Sequence, residues 1–186
     1  MDKGRLEAFS DGVLAIIITI MVLELKAPVS ASWQSLSKLW PTVLGYTLSY
    51  AYIAIYWSNH YKLIKQAKKI SWKINWANIS WLFFTSFIPF TTAWVTQTNF
   101  QPVPTLVYIF VFWITAIAYH LLMMAILPSK SLGEAFKMVF VKDKRAVWSL
   151  TFYTIGLFTA LYWPLVTYLI IAVIAVYWIW PSHEIN

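Results

Sequence analysis

Long stretches without Asp, Glu, Lys or Arg dominate the chain. They run from Leu39 to Tyr61, from Ile74 to Ser129 and from Ala146 to His183. A helix that crosses a membrane needs about 20 mostly apolar residues, because each residue rises ~1.5 Å across a hydrocarbon core of ~30 Å. The first stretch is one such length and predicts a helix near 39–60. The second is interrupted by the polar turn Thr96-Gln97-Thr98-Asn99-Phe100-Gln101-Pro102, which divides it into helices near 74–95 and 103–127. The third holds Pro164, whose missing N–H favours a stop, and predicts a hairpin of helices near 147–163 and 165–180. Ahead of these lies Phe9–Leu25, mostly apolar although it carries Asp11 and Glu24, which predicts a first helix near 6–25. The expected fold is all-α: a polytopic membrane protein of six transmembrane helices in one domain over 1–186.

Composition strengthens that reading. Of 186 residues, 60% are hydrophobic, 19% aromatic and 11% charged, whereas an ordinary soluble domain is roughly 45–50% apolar and about 25% charged. There is too little polar surface to cover a water-soluble body. A soluble enzyme, a nucleic-acid binder and a disordered tail are therefore excluded, despite a formal net charge of +7. The absence of cysteine removes disulfides, thiolate metal sites and thiol catalysis together. No H-E-x-x-H or G-x-S-x-G constellation occurs, so the chain reads as neither an enzyme nor a holder of a metal or cofactor.

The cations set an orientation. With both termini inside, Lys3, Arg5, Lys62, Lys65, Lys68, Lys69, Lys73, Lys130, Lys137, Lys142, Lys144 and Arg145 are cytoplasmic, and only Lys26 and Lys38 lie outside. Twelve of fourteen is the bias expected of inner loops. Trp57, Trp72, Trp76, Trp148, Trp178 and Trp180 then mark inner helix ends, and Trp33, Trp40, Trp94 and Trp163 outer ones, as interfacial belts do. The basic loops serve as topology determinants beside an anionic leaflet. Val29-Ser30-Ala31 could pass for a signal-peptide cleavage site. Against cleavage stand Asp2, Glu7 and Asp11 in the opening segment and Glu24 and Lys26 before the site.

Ionisable groups inside a membrane are costly, about 2.5–3.5 kcal/mol at a helix centre on insertion scales, and so mark function. Here they are Asp11, Glu24, His60 and His120. At about 100° per residue, Gly12, Ile16, Thr19, Ile20 and Leu23 share one arc of the first helix, with Ser10 and Asp11 off it on opposite flanks. Ser10 and Asp11 should face neighbouring helices while the stripe faces something else. Such stripes are ordinarily core, and periodicity alone leaves core and pore both open.

The opening Arg5-Leu6-Glu7-Ala8-Phe9-Ser10-Asp11-Gly12, an R-x-x-x-F-S-D motif on the first of six helices, resembles the signature of the endosomal and lysosomal potassium channels called transmembrane protein 175 and their prokaryotic relatives. The similarity continues through Ala15-Ile16, Val22-Leu23-Glu24-Leu25-Lys26, Trp57-Ser58-Asn59-His60, Asn75 and Pro89-Phe90. The later helices match only in hydrophobic character. The resemblance implies a potassium-preferring cation channel, here a single-repeat member of the kind that forms homotetramers in a prokaryotic plasma membrane. It implies that the first helix lines the pore, with the constriction at Ile16, further apolar pore positions at Ile20 and Leu23, and a selectivity role for Thr19. It also implies a polar network of Arg5, Ser10, Asp11 and His60, extending to Asn75 and Trp76. Potassium is the passing ion and the lipid bilayer the surroundings.

No T-V-G-Y-G filter sequence is present, so carbonyl coordination of that kind is not available. An apolar ring that gates by dewetting and size is expected instead, with modest selectivity. Two other classes stay open: a secondary transporter, which the shortage of buried acids and of internal repeats disfavours, and a non-conducting membrane subunit.

Overall fold

The computed structural model describes residues 2–127, 131–142 and 144–179. Its long helices are α1 (Lys3–Leu23), α3 (Trp40–Gln66), α4 (Trp72–Thr85), α5 (Ile88–Gln97), α6 (Pro102–Ile126), α8 (Lys144–Tyr162) and α9 (Pro164–Ile179). Short helices α2 (Trp33–Ser37) and α7 (Leu132–Phe136) lie in connections, and a π-helical turn covers Lys137–Lys142. The protein is all-helical over the described residues. Lys130, Trp180 and His183, used above, lie outside them.

Local sequence explains the breaks. Ser32, Ser71 and Ser131 each cap the helix that follows, their side-chain oxygens accepting from Ser35 N, Ile74 N and Glu134 N; this satisfies a backbone donor that the helix itself cannot. Pro89 has no N–H to give to Thr85, so the helix expected over 74–95 is divided at Ser86-Phe87 into α4 and α5. The turn after α5 places Asn99 and Phe100 at φ 50° and 61°. Asn tolerates that left-handed geometry readily. Phe100 is held there by burial, with its ring 5.6 Å from Trp40 and 4.6 Å from Tyr168.

Cross-helix contacts show that successive long elements alternate in direction, with α4 and α5 running on as one kinked element. Lys3 on α1 reaches the carbonyls of Lys65 and Ala67 after α3, while Glu24 at the far end of α1 meets Gln97 at the end of α5. The ring of Phe140 lies 5.2 Å from His120 on α6, and Arg145 lies over Tyr177. Both lysine-rich segments therefore sit at the end of the bundle where α1 begins.

Helix α6 is central, packing on α3, α4, α5, α8 and α9. Trp81, Tyr108, Phe112 and Tyr153 are fully buried around it. Helix α1 is peripheral and touches α3, α4 and α5. Three stretches, Lys3–Leu23, the kinked pair Trp72–Gln97 and Pro102–Ile126, are long and apolar enough to cross a membrane; Pro164–Ile179 is apolar but shorter. The expectation of six spans thus exceeds what length and hydropathy carry on the described helices. Helix α3 interleaves Tyr, Ser, Asn and His with its apolar residues, which dilutes its hydropathy.

Candidate functional site

Helix α1 presents two unlike faces. Leu6, Ser10, Leu14, Ile17 and Met21 recur at helical spacing and are buried against α3, α4 and α5. On another side lie Gly12, Ile16, Thr19, Ile20 and Leu23, all exposed. Ile16 is 60%, Ile20 47% and Leu23 71% accessible. The stripe is therefore no part of the core of the chain. Only 28% of the apolar window of α1 is buried, against 56% for α6, so the helix has a large apolar face left over. Thr19 Oγ1 donates to Ala15 O at 2.8 Å. With its proton spent on the helix, the hydroxyl turns oxygen lone pairs outward, the polarity that suits a cation.

The buried face carries one polar position, Ser10, and the structure builds a three-helix chain on it. Ser10 Oγ donates to Leu6 O at 2.8 Å and accepts from Asn78 Nδ2 on α4 at 2.9 Å. Asn78 Oδ1 lies 2.8 Å from His60 Nε2 on α3. The His60 ring stacks on Trp81 at 4.9 Å. Beside this chain, Trp57 Nε1 donates to Asp11 Oδ1 at 2.9 Å. At the start of α1, the Lys3 ammonium caps the carbonyls of Lys65 and Ala67 at 3.2 and 3.5 Å, favourable both as hydrogen bonding and against the negative end of the α3 dipole. These contacts fix the first half of α1 in rotation and depth: the Ser10–Asn78–His60 chain cannot be broken without leaving buried groups unmatched, and the exposed Trp57–Asp11 and Lys3 contacts add to it at the surface.

Ser10, Asp11 and His60 thus each enter the α1–α3–α4 polar contacts. Arg5, Asn75 and Trp76 do not. Arg5 is exposed and has no hydrogen bond or ion pair within the described residues, and Trp76 faces outward against the ring of Trp72. The positions expected at Asn75 and Trp76 are taken instead by Asn78 and Trp57. Helical spacing would have selected Asn78: the buried face of α4 is Ile74, Asn78, Trp81, Leu82 and Thr85, and Asn75 lies off it. His120, given no role from sequence, is buried with Nδ1 2.6 Å from Ala116 O.

A family model described as Endosomal/lysosomal potassium channel TMEM175 matches residues 5–89, from the motif Arg5 to the kink residue Pro89. A potassium channel of a Chryseobacterium species is 40% identical over 186 residues, all of this chain and 97% of the relative. The chain belongs to the TMEM175 family. A potassium channel of Chamaesiphon minutus is 35% identical over 128 residues, 64% of this chain and 63% of the relative. A solved structure, titled as a lysosomal potassium-selective channel TMEM175 homolog from Chamaesiphon minutus, superimposes with a TM-score of 0.81 at 27% identity, covering 95% of this chain and 96% of that one. The TMEM175 resemblance read from Arg5 to Asp11 is thus matched by the family model, a full-length relative and the fold. As a member of an ion-channel family, the chain is not an enzyme.

Proposed function

We propose that the protein conducts potassium passively through a central pore lined by α1, one helix from each of four identical subunits, in a cell membrane that it crosses six times with both termini cytoplasmic. The observation that carries this is the exposed stripe Gly12, Ile16, Thr19, Ile20 and Leu23 on a peripheral helix whose opposite face is pinned by Ser10, Asn78 and His60. One helix cannot enclose a path, so the stripe must meet copies of itself. The Chryseobacterium and Chamaesiphon relatives are potassium channels.

Ile16, Ile20 and Leu23 form successive apolar rings. A narrow apolar ring excludes water and hence ions until it widens, which makes it a gate. When it widens, potassium enters more readily than sodium because it gives up hydration water more cheaply. Thr19, between Ile16 and Ile20, offers oxygen lone pairs that replace part of that water. Selectivity is modest because one hydroxyl ring replaces few hydration contacts. Asp11, Ser10 and His60 hold the helix at the rotation this requires, and Arg5, Asn75 and Trp76 lie beside these contacts without entering them.

Replacing Ile16 with Asn wets the constriction. In liposomes, potassium flux through Ile16→Asn exceeds that of the natural protein, and the potassium-to-sodium ratio falls. Unchanged flux and ratio in a folded variant would move the constriction away from Ile16. Coupled, saturable uptake by the natural protein would instead make it a transporter.

A further inference from the structure

At the end of the bundle opposite the lysine-rich segments, the chain passes between long helices through residues 24–39, 98–101 and Trp163. These stretches contain one carboxylate, Glu24, with Lys26 and Lys38 as their cations. Glu24 directly follows Leu23, the last residue of the exposed stripe, and closes α1 through its backbone N–H to Met21 O and Val22 O. Its side chain is not loose. Oε2 accepts from Gln97 Nε2, at the end of α5, at 3.0 Å. The same carboxylate borders the groove that Ile16 and Ile20 share with Pro89 and Phe90. Helix α1 also ends here with no basic residue in its last turn, so the negative end of its dipole points the same way, and Lys26 follows two residues after the carboxylate.

We propose that Glu24 is a cation-attracting site at this mouth of the path, one carboxylate per subunit, acting on hydrated monovalent cations. Fixed carboxylates at a low-dielectric entrance raise the local concentration of cations and the rate at which they arrive. Because Gln97 holds the carboxylate at the rim beyond Leu23, ions pass it with their water on. Glu24 therefore governs supply, and the choice of potassium over sodium stays with the narrower part at Ile16 and Thr19. Gln97 is a positioning residue. Glu24 acts in this way only if α1 lines the path, and the variants separate the two questions.

The test uses the full chain in planar bilayers, at about 10 mM and about 1 M potassium salt, where the Debye length is ~30 Å and ~3 Å. Glu24→Gln removes the charge and keeps an oxygen for Gln97. It lowers conductance about two- to five-fold at low salt, converges on the natural protein at high salt and leaves the potassium-to-sodium ratio alone. The cysteine-free chain allows a second arm on protein already folded. Glu24→Cys modified from that side by an anionic thiosulfonate gains low-salt conductance, and modified by a cationic one of similar size it loses conductance. Both reagents acting in the same direction would overturn the proposal, since a steric or purely structural role does not depend on the sign of the charge. Natural conductance in Glu24→Gln at low salt would overturn it too. If Ile16→Asn changes flux in that preparation, α1 still lines the path and only the role of Glu24 fails; if Ile16→Asn is also without effect, the conduction reading fails with it.

Discussion

Asn78 joins three helices through two hydrogen bonds, donating to Ser10 on α1 and facing His60 on α3. Truncating it takes from His60 Nε2 its partner and from Ser10 the bond it accepts, at a cost of about 1–3 kcal/mol; between helices in lipid the lower part of that range applies. Asn78→Ala is thus expected to unfold at lower temperature in detergent and, because α1 loses its anchor, to alter flux although residue 78 lies off the stripe. Thr19 makes a contrasting prediction. Thr19→Val keeps the shape and removes the oxygen, so the potassium-to-sodium flux ratio falls with thermal stability nearly unchanged, whereas Thr19→Ser keeps the ratio. An unchanged ratio in Thr19→Val, measured by paired gradients in liposomes, would place selectivity elsewhere. At this scale the sequence was informative where a motif was dense. Arg5 to Asp11 singled out Ser10 and Asp11, and both carry hydrogen bonds to other helices. It was less informative for their partners, because a motif specifies its own residues and not which of two nearby asparagines shares their face.

Between elements, the close approach of α3 and α5 depends on Gly45. A Cβ built there would lie 2.3 Å from Thr96 Cγ2, and small residues at such crossings let helices meet in membranes. Gly45→Ala is expected to destabilise the protein by about 1–3 kcal/mol, the range for overpacking, seen as a lower thermal midpoint. Adding Thr96→Ser, which deletes the offending methyl, should restore most of the loss; failure to restore would mean the helices are not this close. The long charge-free runs made the helices legible, since little but a bilayer or a large core tolerates them. The division of the third at Ser86-Phe87 was less so. Pro89 was visible, but a proline kinks some helices and ends others, and its neighbours decide which. In sequence the lysine-rich loop is a connection without periodicity, yet α7 and a π-helical turn occupy Leu132–Phe136 and Lys137–Lys142, short elements whose order comes from packing on α6.

Over the whole molecule, packing is uneven. The interior around α6 is closed by Trp81, Tyr108 and Phe112, while α1 at the periphery buries one face and leaves Ile16, Ile20 and Leu23 exposed. A single chain shows why periodicity could not separate pore from core: both need an apolar stripe, and only the arrangement of the other helices reveals which stripe on α1 is already used. The absence of cysteine permits the most direct measurement of whether α1 lines the conduction path. Single cysteines placed from Gly12 to Leu23 are exposed to silver ions, which are close to potassium in size and bind thiols, while potassium flux is recorded. Block is expected at Ile16, Thr19, Ile20 and Leu23, repeating at helical spacing, and not at Leu14, Ile17 or Met21 on the buried face. Block that follows the buried face, or flux that no position on α1 affects, would contradict the assignment of the path to this helix.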